Sequence, residues 1–561
     1  MEMEKKNVAI IVLAIALAAS GIGNIILGLQ GAQFVAPPNV SLIFSQASPP
    51  ATLDPANAWD QSSNNVLEQV VETLFTYNYS DHSLPRINLL AQNYWWESDT
   101  ILHIKVREGI VFHDLTPFDA NATKWNLDRL LYLSNCTGTL PDTMVPGDPS
   151  SLYFFPDGVT PIINNVVSDG AYNVTITLNA PYAPFIDLLC YTAGSILSPT
   201  STPDDDFISL TYGRLIGTGP FVYEYYVPNV EVRFGRFDYY WQSPAFFEEV
   251  VMVFINDPTT RNNAMLGHEI DWIQGIIPSL ISTYNADPTI TAMHFTDVYG
   301  IPGLGYQYLG MNNLDIPLNW RKAISYAINY TYIIEEIMAG LAVRANGPIS
   351  PGYGAPYNTS NVAADYDLIT ARQTIVDTVG AASGFPVNSD PLDPTWQGAT
   401  LFTVNYTYNI GNSMREDMFD ALYNWLPAIG ISVVDDGVTW AAFLRKLFGD
   451  YDELGLYWIG WGPDYLDPYN MLDPLFNPAS YANSAQVNDA KLNSMMSTAL
   501  ATTDDTARSV IYKNIQWYLA NRLYPHCFGY HGKIVTVHSA DIQGLWYNAQ
   551  GNLRFYPTYR V

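Results

Sequence analysis

"INDPTTRNNAMLGHEIDWI", residues 255–273, passes from a helix to a strand within one short stretch, and that handover decides the fold class. Asp257 stands where an N-cap should be, and Pro258 occupies the first helical position, where a missing N–H costs nothing. Gly267 is placed to take a left-handed C-terminal cap, after which "EIDWI" reads as a strand. The unit recurs at "GYQYLGMN", 305–312, followed by "NWRKAISYAINYTYIIEEIMAG", a helix whose Ile324, Ile328, Ile334 and Met338 share one face and which Gly340 ends. Repeated alternation of strand and helix predicts an α/β fold with mixed sheets.

Outward from that stretch the same logic holds. "VSLIF" reads as the first strand, and "SQASPPATLDPANAWDQSS" as a long polar loop. Asn65, with Glu68 three residues on, predicts a cap for a helix carrying Val66, Leu67, Val70, Val71 and Leu74. Residues 94–113 alternate, with Ile101, His103, Lys105 and Arg107 opposite Leu102, Ile104 and Val106, and "AYNVTITLN" adds another strand, so this region is β-rich.

At 561 residues the chain exceeds what one hydrophobic core supports, so two or three lobes are expected. The formal charge of −29 leaves no concentrated basic face, which excludes nucleic acid as a partner while admitting a cationic or amine-bearing ligand. Residues 1–30 set Lys5 and Lys6 before an apolar run from Val8 to Leu29, long enough to span a bilayer. A signal peptide or N-terminal membrane anchor is therefore expected over 1–30, a tether over 31–37, and the remainder outside the cell membrane, anchored to it or secreted. N-x-S/T sequons at Asn39, Asn78, Asn121, Asn135, Asn173, Asn329, Asn358 and Asn405 fit an exported chain. Cys136, Cys190 and Cys527 permit one disulfide and leave a thiol over.

The usual signatures of chemistry are missing. There is no G-x-x-x-x-G-K-[ST], no G-x-S-x-G and no H-E-x-x-H, so no catalytic residue, metal site or cofactor is expected. His103 and His113 read as surface or hydrogen-bonded residues. The stretch "WIGWGPDYLDPYNML", 458–472, stands out for its aromatics and for Asp464 and Asp467. Two such carboxylates could serve glycoside hydrolysis, but Asp467 precedes Pro468 and reads more simply as a turn residue accepting backbone N–H bonds. Tyr and Trp, numbering 39 and 14, suit both core packing and the walls of a ligand cleft.

Several segments together resemble the peptide- and nickel-binding class of extracellular solute-binding proteins that feed ABC importers, family 5. "TLDPANAWDQSSNNVLEQVVETLFTYN" is similar to that family's opening stretch, and "REGIVFHDLTPFDANATKWNLDRL" to its signature, with Leu115 where the family has glycine and Asn121-Ala122-Thr123 where it has an acidic helix start. "GTGPFVYEYY…EVRFGRFDYYW", "RNNAMLGHEIDWI", "MNNLDIPLNWRKAISYAIN…GLAVRANGPISP" and "WIGWGPDYLDPYNML" follow in the family's order, across roughly residues 40–550.

The resemblance implies a periplasmic-binding-protein-like fold, type II, class C, with two main lobes around a ligand cleft and an extra β-rich lobe. By similarity lobe I is built from 38–75, 213–295 and 530–561, the β-rich lobe II from 76–212, and lobe III from 296–529. It implies a monomeric receptor that captures peptides by lobe closure and hands them to a permease in the membrane. By the same match Asp464 would meet the ligand's α-ammonium, with Trp461 and Tyr465 lining the cleft beside it and Trp59 at its floor. Arg321 in "NWRKA" falls on a helix, where a structural salt bridge is expected. An oligosaccharide receptor of the same fold, a surface glycoside hydrolase and a surface sensor are the competing readings.

Overall fold

The computed structural model describes residues 41–561 apart from 212, 380–387, 391 and 397. The leader and tether expected over 1–37 lie outside the described residues. Among the described residues no helix is long and apolar enough to cross a membrane.

Three sheets organise the molecule. A seven-stranded mixed sheet runs in the order Ile290–His294, Val535–Ser539, Trp272–Ile273, Ser41–Gln46, Glu249–Phe254, Glu231–Arg236, Phe221–Val227. Its central strand, Ser41–Gln46, pairs in parallel with Glu249–Phe254 and Trp272–Ile273. Nearly every residue of that strand is buried, as expected when a parallel strand is covered on both faces. The helix that connects its two parallel neighbours, Pro258–Leu266, is the one that opened the sequence reading. Asp257 caps it, accepting the Thr260 N–H at 2.7 Å, with Pro258 first in the helix. The expected left-handed cap at Gly267 shifts by one residue: Gly267 stays right-handed and His268 takes φ 57. The helical hydrogen bonding persists through Gly267, whose N–H reaches Asn263 O at 2.8 Å, so the reversal falls on the next residue.

A second sheet of six strands has the order Ala342–Arg344, His526–Gly532, Tyr306–Met311, Leu456–Trp461, Phe402–Asn409, Ile431–Val438. Close packing at its centre requires Gly310, since a Cβ there would lie 2.1 Å from the Tyr457 ring. The third sheet is antiparallel, with four strands in the order Ala91–Ser98, Ile101–Val106, Asn173–Leu178, Ile163–Asp169. Along Ile101–Val106 burial alternates, with Leu102, Ile104 and Val106 inside, as the period-2 pattern predicts.

Three local expectations change. The helix expected to start at Asn65 and to carry Val66 through Leu74 lies earlier, as Gln61–Leu67, because Asp60 takes the capping role by accepting the Ser63 N–H at 2.8 Å; Val70, Val71 and Leu74 fall beyond its end, buried all the same. The long helix expected over 319–340 breaks. Leu318–Ala327 ends at an extended Ile328, and Asn329 starts a new turn by accepting the Tyr332 N–H, the competition with helical backbone typical of asparagine. Arg321 is structural but makes no salt bridge among the described residues. Its guanidinium donates to the carbonyls of Ile316, Leu523 and Tyr524, so a buried cation closes the C-terminal end of the helical segment ending at Leu523. The three cysteines are free thiols, so the permitted disulfide does not form.

Candidate ligand-binding site

The site begins at a strand end. Leu456–Trp461 leaves the six-stranded sheet, turns through Gly462, Pro463 and Asp464, and re-enters regular structure as the helix Tyr469–Phe476. Asn470, in the first turn of that helix, closes the turn from three directions. Its Oδ1 accepts the Asp464 N–H at 2.7 Å, its Nδ2 donates to Asp464 Oδ2 at 3.0 Å, and its carbonyl accepts from Trp461 Nε1 at 3.1 Å. The other carboxylate oxygen, Asp464 Oδ1, accepts the indole N–H of Trp59. Trp59 stands edge-on to Trp461, centroids 6.4 Å apart, and to Tyr481 at 5.8 Å.

This group opens on a cavity of about 460 Å³. Its lining draws on Trp59, Asn64 and Glu68, on Gln550 and Asn552, and on the strand end from Gly460 to Asp464 with Tyr481. That volume suits a small ligand of a few residues or rings. Asp464 has no Lys, Arg or His partner among the described residues; its carboxylate is held by two neutral donors only. Burial pushes its pKa up to about 6, against the downward pull of the Asn470 and Trp59 hydrogen bonds. A carboxylate of this kind is incompletely compensated, and an ammonium or guanidinium arriving in the cavity would complete it with charge-assisted hydrogen bonds.

Asp467, only three residues on, has a different fate. It accepts the Tyr469 N–H and the Tyr512 hydroxyl, and lies 3.2 Å from Arg508, all away from this cavity. The two aspartates of the turn therefore do not face one cleft as an acid/base pair. Asp467 is a turn residue with a buried cation partner.

Of the residues singled out in the sequence, Asp464, Trp461 and Trp59 come together around the cavity. Tyr465 does not join them. It is 2% exposed, and its hydroxyl shares a 3.0 Å hydrogen bond with Tyr182. Consecutive residues of this turn point apart, which sends Tyr465 to a smaller adjoining cavity of about 160 Å³ that also touches Trp59, Trp461 and Tyr481.

Other wall residues carried no local signal. Glu68 also lines the cavity; Arg554 pairs with it at 2.9 Å and Thr192 donates to it at 3.1 Å, while burial raises its pKa despite the arginine. Asn64 Oδ1 and Gln550 Oε1 are buried acceptors with no hydrogen-bond partner among the described residues, and both side chains line the cavity. An unpaired buried acceptor costs about 1–3 kcal/mol, so each is a place where a ligand donor would be favoured.

The sequence profile of the bacterial extracellular solute-binding proteins, family 5 middle region, matches residues 87–483. The chain is 25% identical over 515 residues to the glutathione-binding protein GsiB of Shigella flexneri serotype 5b, covering 88% of this chain and 90% of that one. Its fold matches the periplasmic binding protein DppA of Helicobacter pylori in complex with the peptide STSA, at TM-score 0.75 and 21% identity, over 93% of this chain and 98% of that one. It matches equally, at TM-score 0.75 and 20% identity, the dipeptide-binding protein of Pseudoalteromonas sp. SM9913 in complex with Met-Leu, covering 93% and 100% of the two chains. A profile match over most of the sequence, carried on a type II periplasmic-binding-protein fold, places the chain in family 5 of the bacterial extracellular solute-binding proteins.

Proposed function

We propose that this chain is the extracellular receptor of an ABC importer for peptides, holding the peptide's α-ammonium at Asp464 between Trp59 and Trp461. One observation carries the reading: a carboxylate at the edge of a ligand-sized cavity, fixed by Asn470 and Trp59 and lacking a cation. The names of the similar proteins, which bind glutathione or peptides, support a small amine-bearing ligand. In the lobe division we favour, 38–75, 213–295 and 530–561 form one main lobe, 76–212 the β-rich lobe, and 296–529 the other main lobe. The strand His526–Gly532 straddles the last of these boundaries. Ligand contacts to both main lobes would favour the closed arrangement by their difference in affinity for the two states, and nothing else about the ligand can drive closure. The receptor then delivers its cargo to a membrane permease, with residues 1–30 as signal or anchor.

Native mass spectrometry of the exported part, released from its own cells, tests the substrate class. Masses of a peptide mixture are expected. A single glycan mass would favour the oligosaccharide receptor instead.

A further inference from the structure

The charges that face the cavity have one sign. Among its described lining residues the only ionisable side chains of ordinary acid or base strength are Asp464 and Glu68, and the rest are amides, aromatics, a threonine, a cysteine and backbone. Every Lys and Arg after Lys6 belongs to the described residues, and none lines this cavity. The Arg554 guanidinium sits behind the wall, paired through Nη1 with the Glu68 carboxylate and with the Glu68 carbonyl, and does not line the cavity. The two unpartnered atoms, Asn64 Oδ1 and Gln550 Oε1, are acceptors as well.

We infer that the cavity takes the amino end of a peptide and excludes a free carboxylate, so the preferred ligand is long enough to carry its C-terminal carboxylate outside these walls. The inference rests on the peptide-receptor reading, which already places the amino end at Asp464, and adds the length of peptide that follows from it. A dipeptide spans only about 7 Å when extended, so both of its charges would lie within the cavity. Its carboxylate would there meet Asp464 at short range and find no donor cation, whereas backbone N–H groups of a longer chain would satisfy Asn64 and Gln550.

Isothermal titration with three probes at pH 7.5 separates the claims: Ala-Ala with free ends, Ala-Ala with its C-terminus amidated, and N-acetyl-Ala-Ala amide. The amide is expected to bind at least tenfold tighter than the free dipeptide, and the acetylated amide to lose binding by a further tenfold or more. If the free dipeptide binds as tightly as the amide while acetylation still abolishes binding, the inference is overturned and the ammonium reading survives. If acetylation changes nothing, or if neither these probes nor unblocked tetra-alanine binds, the peptide-receptor reading fails and takes the inference with it; binding of tetra-alanine alone supports the inference.

Discussion

Among the described residues Asp464 is buried yet unpaired with a cation, and in its proposed role a pKa near 6 would make peptide capture acid-sensitive. On the proposed reading an ammonium would bind the ionised carboxylate, and in the ligand-free protein that form is the minor one below about pH 6. Affinity for an unblocked peptide should therefore be constant above about pH 7.5 and about tenfold weaker at pH 5, where roughly one molecule in ten is ionised. Titration calorimetry across that range checks this, and a flat profile would contradict it. A second residue tests the family frame. Leu115 occupies the position where the family has glycine, and it adopts φ 66 with its side chain 60% exposed. The turn's frame is kept, with the Leu115 N–H on Phe112 O at 2.8 Å, at the cost of left-handed backbone in a branched residue. Leu115→Gly should stabilise the protein by about 0.5–1 kcal/mol, seen as a higher urea midpoint at unchanged slope.

Among the elements, the strand His526–Gly532 carries two fully buried histidines, His526 and His531, held neutral by burial with pKa values near 3 and 4. Their folded pKa values lie below the unfolded value of about 6.5, so their contribution is fully present above pH 6.5 and is lost as pH falls toward 4. His526 stacks on Tyr308 with centroids 4.0 Å apart, a contact that phenylalanine preserves without titrating. Between pH 7 and pH 5 the His526→Phe protein should lose about 2 kcal/mol less stability than the parent, measured by urea unfolding. An equal loss in both would show that this histidine is not a proton-linked element.

What could be read from the sequence was local at this scale. The helix Pro258–Leu266 was legible because Asp257 and Pro258 are its own start signals. The turn at 462–464 was legible as a turn, and Asp464 as the carboxylate it carries, which the structure places on the cavity. Tyr465 was not, because which way successive residues of a turn point depends on what packs behind them, here Tyr182 from a distant segment. Asn470 carried a faint signal, an amide at a helix start just after an aspartate turn. The break at Ile328 was hidden because the apolar period continues across it, and only the cap at Asn329 reveals it.

For the molecule as a whole, the site is assembled from pieces far apart in the chain: Trp59 and Glu68 near one end, Tyr481 and Asp464 in the six-stranded half, Gln550 near the other end. No local pattern encodes such a meeting. The same holds for sheet order, where Val535–Ser539 inserts between Ile290–His294 and Trp272–Ile273. The family resemblance carried what periodicity could not. The buried pair Arg129–Asp54 joins three segments distant in the chain, at 54, 129 and 203–206, since Arg129 also donates to Pro203 O and Asp206 O. Removing the cation by Arg129→Met would leave Asp54 buried and unpaired, an expected loss of about 3–5 kcal/mol by urea unfolding. A change under 1 kcal/mol would mean that the pair does not tie these segments together.

Recognition of a peptide's ammonium by one carboxylate is decided by calorimetry of an unblocked tetrapeptide against the parent and Asp464→Asn at pH 7.5. Loss of a charge-assisted contact in a closed site is worth about 1.5–3 kcal/mol, so affinity should fall roughly 10- to 150-fold while the unfolding midpoint stays near that of the parent. Unchanged affinity in a folded Asp464→Asn protein would contradict the account.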